Sequence, residues 1–271
     1  MRISRVIFSA AVITSLSGLV TAVAATPAAE AASTVNYVAL GDSYSSGLGA
    51  GSYISSSGSC DRSTNAYPER WAAAHAPASF VSVACAGATT SDVISSQVSA
   101  LSASTTLVSL TIGGNDAGFS STMETCVLHS TSTCVNAVTA AESFVSTQLP
   151  ARLNSALQQI RAHAPNAKIV LLGYPQLYDL SKSGTCIGLS TTDRTALNGA
   201  ADQLDSAMSS AAGRNSATFA DVRAQFAHHE ICDGAGSWLN SVNILSISSS
   251  YHPTAAGQEQ GYEPVFASVA G

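Results

Sequence analysis

Asn36-Tyr37-Val38-Ala39-Leu40-Gly41-Asp42-Ser43 is a short apolar run that stops abruptly at a glycine, a carboxylate and a hydroxyl. Its length and composition are those of a buried β-strand, and Gly-Asp-Ser has the chemistry of the turn that ends one. The same grammar recurs downstream. Phe80-Val81-Ser82-Val83-Ala84 ends at Cys85-Ala86-Gly87, and Thr106-Leu107-Val108-Ser109-Leu110-Thr111-Ile112 ends at Gly113-Gly114-Asn115-Asp116. Lys168-Ile169-Val170-Leu171-Leu172 runs into Gly173-Tyr174-Pro175, and Thr218-Phe219-Ala220-Asp221-Val222 makes a fifth run.

Segments of helical spacing fill the gaps. They cover 66–75, with Pro77 just beyond the end, and 91–101, with Val93, Ile94, Val98 and Leu101 on one side. They continue at 137–164, broken at Pro150, where Leu153, Leu157 and Ile160 share a face. The last two are 190–212 and 254–269, the latter opened by Pro253 as a first-turn residue. Residues 47–59 read as a loop, and 118–135 as an irregular stretch holding one close cysteine pair. Strands alternating with helices predict an α/β fold, a three-layer α/β/α sandwich around a parallel sheet. No linker or repeat divides the chain, so one domain over 33–271 is expected.

The chain has 271 residues, of which 46% are hydrophobic and 10% charged. Residues 1–32 read as a secretory signal peptide with a short N-terminal segment. Arg2 and Arg5 are its basic start, Val6 to Val20 its apolar run, and Ala22-Val23-Ala24 or Ala29-Glu30-Ala31 the cleavage site. A membrane anchor is the competing reading, but the apolar run is short and small residues follow it. No later stretch is long and apolar enough to span a bilayer. A secreted, extracellular protein that inserts in no membrane and acts as a monomer is therefore expected. A formal net charge of −6 without basic clusters argues against a nucleic-acid partner.

Six cysteines remain beyond the leader: Cys60, Cys85, Cys126, Cys134, Cys186 and Cys232. In an exported chain an even number favours disulfides over thiols or metal. No C-x-x-C pair suggests zinc. Of the possible pairings the simplest joins nearest neighbours: Cys60 to Cys85, Cys126 to Cys134, Cys186 to Cys232.

In open α/β sheets ligands bind beyond the carboxyl ends of the strands. The three strand-end clusters should therefore converge on one crevice, where Ser43 offers a hydroxyl, Gly87 an open backbone N–H and Asn115 an amide donor. A serine needs a base to become a nucleophile. Among the histidines, His75 and His163 sit near helix ends and His129 lies in the Cys126–Cys134 loop. His228-His229-Glu230 hints at a metal, but adjacent histidines face apart, and no metal site is expected. His252 stands out, because Pro253 holds it extended at the junction of a loop and the last helix.

These blocks together resemble the GDSL/SGNH hydrolase family. Gly41-Asp42-Ser43-Tyr44 is similar to its first block, with Tyr44 replacing the usual Leu. Gly87 in Cys85-Ala86-Gly87-Ala88 resembles the second block, Gly113-Gly114-Asn115-Asp116 the third and His252-Pro253 the fifth. Each block alone is weak; all four in order are specific and span most of the chain. The cysteines and the leader further resemble the family's secreted actinobacterial lipases and esterases. The resemblance implies a flavodoxin-like sandwich and carboxylic ester hydrolysis without metal or organic cofactor. It implies that Ser43 attacks the carbonyl, that His252 is its base, and that Ser43, Gly87 and Asn115 form the oxyanion hole. Asp42 and Asp116 are expected to hold turns.

One position departs from the family. An Asp often stands three residues before the histidine to orient its ring, and here it is Ser249. The ring still needs an acceptor. A backbone carbonyl from Ser249-Ser250 or from Ser237-Trp238-Leu239 is expected to serve, giving a dyad like that of some secreted relatives. The classical G-x-S-x-G elbow is absent, since position 45 is Ser. Aromatic residues make up only 6% of the chain, a poor platform for stacking sugars. Loops 47–59 and 177–189 are small or apolar enough to line an acyl channel. Lipid or simple carboxylic esters are expected as substrates, ahead of acetylated polysaccharides or a non-catalytic binding role.

Overall fold

Five runs of apolar residues pair in register as parallel strands: β1 (Asn36–Ala39), β2 (Ser79–Ser82), β3 (Leu107–Leu110), β4 (Lys168–Leu172) and β5 (Thr218–Ala220). The computed structural model describes residues 34–182, 186, 188–243 and 247–271. The expected leader and both of its A-x-A sites lie outside the described residues. The strand order is β2-β1-β3-β4-β5, with Tyr37 opposite Leu107 and Val108 opposite Ile169. β3 is buried at every position, as a strand covered on both faces must be, whereas β2 alternates at the edge. The chain moves from β1 out to β2, then returns to the other side of β1 for β3. Loops leaving β1 and β3 thus diverge, and the crevice between them is the topological switch point.

The helices pack in two groups. The first is α3 (Thr90–Ser95), α4 (Phe119–Leu128), α5 (Thr131–Thr147), α6 (Leu149–His163) and α7 (Thr191–Arg214). The second is α2 (Tyr67–His75), α8 (Arg223–Phe226) and α9 (Glu263–Ala270), joined by a π-helical stretch at Gly257–Tyr262. A one-turn helix, α1 (Ser43–Ser46), follows β1 directly. Sheet and helices form the α/β/α sandwich that the sequence predicts.

The structure corrects three local expectations. Residues 118–135 are not irregular: α4 and the start of α5 occupy them. Their Ser, Thr and Cys content gives little intrinsic helix signal, so the helix depends on tertiary burial of Met123 and Cys126. The Cys126–Cys134 disulfide then ties α4 to α5. The helix expected at 91–101 breaks at Ser96 into α3 and a 3₁₀ segment, Gln97–Ala100, which turns the Gln97 side chain inward. Pro253 is not in the first turn of the last helix; it forms a β-bridge with Leu239. The π-helical stretch that follows buries Gln258. The other two disulfides join Cys60 to Cys85 and Cys186 to Cys232, the nearest-neighbour pairing.

Candidate active site

Sheet hydrogen bonding continues past the strands and draws their ends together. Asp42 N–H donates to the Thr111 carbonyl at 3.1 Å, and Cys85 N–H to the Gly41 carbonyl at 3.0 Å. Gly41 has φ +116°, and a Cβ there would stand 2.5 Å from the Thr111 carbonyl oxygen, so only glycine fits. Gln97 clamps the same residue, accepting from Gly41 N–H at 2.7 Å and donating to its carbonyl at 2.9 Å. The Asp42 carboxylate caps α1 through Tyr44 N–H at 3.0 Å and accepts the Thr111 and Tyr174 hydroxyls. Burial pushes this carboxyl up to about 6, against those hydrogen bonds. Ser43 thereby becomes the first residue of a rigid one-turn helix at the switch point.

His252 meets it from the other end of the chain. Nε2 lies 2.7 Å from Ser43 Oγ, and Nδ1 lies 3.0 Å from the Ser250 carbonyl. A carbonyl only accepts, so Nδ1 carries the proton and the bare Nε2 accepts from the serine hydroxyl. Burial lowers the imidazole's pKa to about 4, while nearby backbone carbonyls, Ser250's first, pull it back up. The ring is therefore neutral at pH 7. No acidic side chain bonds it among the described residues. Ser249 uses its carbonyl to accept His252 N–H at 3.2 Å.

The histidine loop is tightly specified. Tyr251 has φ 67°, a left-handed conformation rare for an aromatic residue. Its N–H donates to the Asn240 carbonyl at 2.8 Å, and its carbonyl accepts the buried Tyr44 hydroxyl at 2.8 Å. Asn240 N–H and Nδ2 both donate to the His252 carbonyl, each at 2.9 Å. Gln258 donates to the Tyr44 carbonyl and accepts Tyr67 N–H, joining the last helix to α1 and α2.

The third cluster connects to the second. Asn115 Nδ2 donates to the Ala88 carbonyl at 3.0 Å, leaving its other amide hydrogen for a ligand. Asp116 accepts Thr90 N–H and hydroxyl at 2.9 and 2.6 Å and pairs with Arg152 at 3.6 Å. Both motif carboxylates, Asp42 and Asp116, are thus occupied with turns and caps. Gly87 has φ +80° and is exposed beside the Cys60–Cys85 bridge, joined to Asn115 through Ala88.

Residues 39–260 match the GDSL-like Lipase/Acylhydrolase family. The chain belongs to that family. As a member it is an ester hydrolase. It is 55% identical to Lipase 1 of Streptomyces coelicolor over 92% of this chain and 91% of that one. It also matches the crystal structure of phospholipase A1 from Streptomyces albidoflavus NA297, at TM-score 0.84 and 56% identity. That match covers 86% of this chain and 98% of the other. The extracellular lipase from Streptomyces rimosus matches at TM-score 0.84 and 49% identity, over 88% of this chain and 100% of that one.

In this GDSL hydrolase Ser43 and Asn115 open onto an apolar cleft of about 710 Å³ counted out to solvent. Phe119, Met123, Val145, Leu177, Leu197 and Leu204 form its walls. Of the two loops expected to line an acyl channel, only 177–189 contributes, through Leu177. Loop 47–59 does not; the walls come from α4, α5 and α7 instead, because the chain after β3 folds as helix rather than loop. Three of the remaining histidines serve local structure: His75 stacks on Trp71, His163 bonds the Gln159 carbonyl, and His229 stacks on Trp238. Sequence reasoning passed over Tyr174, Asn240, Tyr251 and Gln258. Only Tyr44 carried a signal, as a polar-tipped residue where the family has Leu.

Proposed function

We propose that this protein is a secreted, monomeric serine hydrolase that cleaves lipid acyl esters through an acyl-enzyme on Ser43. The observation that carries the reading is the 2.7 Å contact between Ser43 Oγ and the neutral His252 Nε2 at the mouth of an apolar cleft. Ser43 Oγ attacks the ester carbonyl carbon while its proton passes to His252 Nε2. The Ser250 carbonyl, accepting from Nδ1–H, stabilises the imidazolium as it forms. The Ser43 and Gly87 N–H groups and the free Asn115 amide hydrogen receive the developing oxyanion, where one donor is worth about 10²–10³ in rate. The tetrahedral adduct collapses by expelling the alcohol, which takes the proton from His252. Water, deprotonated by the same imidazole, then releases the acid and restores Ser43.

The cleft is walled by aliphatic and aromatic side chains, which favours an acyl chain over a sugar. The names of the relatives, lipases and a phospholipase A1, point the same way. Residues 1–32 act in this reading as the export signal, in keeping with three disulfides and with an extracellular relative. Hydrolysis of a p-nitrophenyl ester series, a triglyceride, a phospholipid and acetylated xylan tests it. Wild type should cleave the lipid esters and Ser43→Ala none; preference for xylan acetate sinks the lipid assignment. Ser249→Ala should keep near-full activity, and a collapse to the Ser43→Ala level sinks the backbone acceptor.

A further inference from the structure

Asp179, Glu230 and Asp233 bring carboxylate oxygens within 4.8 Å of one another, and none of the three bonds Ser43 or His252 among the described residues. The fold forces them together. Tyr178 and Ile231 form a parallel bridge, Asp179 N–H donates to the Ile231 carbonyl, and the Glu230 carbonyl accepts Asp233 N–H. All three side chains are covered: Asp179 is 8% exposed and Glu230 9%, and the Asp233 side chain is 5% exposed. Asp179 Oδ2, Glu230 Oε2 and Asp233 Oδ2 are each buried with no hydrogen-bond partner. Among the described residues, three carboxylates face one ammonium. Lys182 Nζ lies 2.9 Å from Asp233 Oδ1 and 3.9 Å from Asp179 Oδ2, on a side chain that is half exposed. The trio thus keeps two negative charges that its own lysine does not balance, and covered carboxylates are costly without a counter-charge.

We propose that Asp179, Glu230 and Asp233 bind a structural calcium ion that clamps the Leu177–Asp179 segment to the Glu230–Asp233 turn. The donor set is oxygen only, which selects a hard cation. Oxygens sharing one Ca²⁺ at about 2.4 Å stand at most about 4.8 Å apart, and the three here lie within that reach; Mg²⁺ demands a near-ideal octahedron and gives up its waters reluctantly, so a flexible carboxylate trio suits it less. Lys182 swings out to solvent when the ion enters. The clamp has a purpose in this fold. Leu177 walls the apolar cleft, and the Tyr178 hydroxyl donates to the Tyr251 hydroxyl at 3.0 Å, one residue from His252. The ion takes no part in the ester chemistry.

Calorimetric unfolding of the full-length mature protein in 10 mM CaCl₂ against EDTA, at matched ionic strength, tests the site, with isothermal titration of CaCl₂. A tenth-millimolar site is then about a hundredfold saturated, which raises Tm by about 5 °C or more. MgCl₂ should give less than half that rise. Glu230→Gln keeps the shape and should lose the calcium shift, with turnover at 25 °C close to wild type. Lys182→Ala removes the competing ammonium and should bind calcium several-fold more tightly, so the test stands even where Glu230→Gln fails to fold. An unchanged wild-type Tm with no binding heat overturns the proposal. So does a calcium shift that survives intact in Glu230→Gln, or a Lys182→Ala protein that binds no better than wild type.

Discussion

Replacing Tyr44 by Phe removes one oxygen and leaves the ring. The ring keeps its packing, edge-on to Tyr174 at 5.0 Å between centroids and 5.2 Å from His252. What disappears is the hydroxyl that donates to the Tyr251 carbonyl at 2.8 Å. That carbonyl is buried and then has no donor, a loss of about 1–3 kcal/mol. In a domain of this size each kcal/mol moves Tm by about 2–4 °C, so a fall of about 2–12 °C is expected. The kinetic consequence is separate. Tyr251 holds a left-handed backbone that costs about 1–3 kcal/mol, and the Tyr44 hydroxyl is one of the contacts that keep it there. Relaxation of that residue swings His252 away from Ser43, and about 1.4 kcal/mol of lost alignment is tenfold in rate. The assay is paired: calorimetric Tm, and kcat and KM on p-nitrophenyl butyrate. Expected is kcat down about tenfold, with KM within about twofold, because the Tyr44 ring that lines the cleft stays in place. An unchanged kcat refutes the positioning argument even if Tm falls, and an unchanged Tm refutes the hydrogen-bond accounting.

The pH profile should carry the mark of His252. Its pKa of about 4 makes the base neutral above that value, so kcat/KM should rise through about pH 4 and be level from pH 6 to 8; a limb centred near 6.5 contradicts the buried ring. The same depression lowers stability as pH falls from 6.5 to about 4, since only the unfolded chain takes up that proton in this window. Converting Cys126 and Cys134 together to Ser should cost about 2–3 kcal/mol in urea unfolding for so short a loop, with the circular dichroism spectrum retained. Ala201→Phe fills the cleft and should abolish hydrolysis of octanoate esters while acetate esters survive; parallel losses on both would remove the cleft from substrate binding.

Much of this site could be read from the chain because its chemistry sits at strand ends. Short apolar runs closed by Gly-Asp-Ser, Cys-Ala-Gly and Gly-Gly-Asn-Asp announce a parallel sheet and mark the ends where a ligand binds. Ser43, Asn115 and His252 follow from that logic with the family blocks. Helix α4 was illegible because its residues prefer helix only weakly, and burial of Met123 and Cys126 supplies what propensity does not. The π-helical stretch left no periodic trace either, although Gln258 within it ties Tyr44 to Tyr67.

The sequence by itself determined the strand order's raw material, singled out Ser43 and His252 as the proposed nucleophile and base, and showed that position 249 holds no acid. Local composition and spacing carry such information, because a strand, its turn and its terminal side chain are neighbours in the chain. Tertiary structure alone decided which carbonyl faces His252, which helices wall the cleft, and that Tyr44 holds the histidine loop across 207 residues. The same holds for the carboxylates of Asp179, Glu230 and Asp233, which the chain keeps up to about fifty residues apart and a β-bridge brings together. Contacts of that reach depend on the packing of whole layers, since each is fixed by the closure of the sheet and its helices rather than by any residue's own preference.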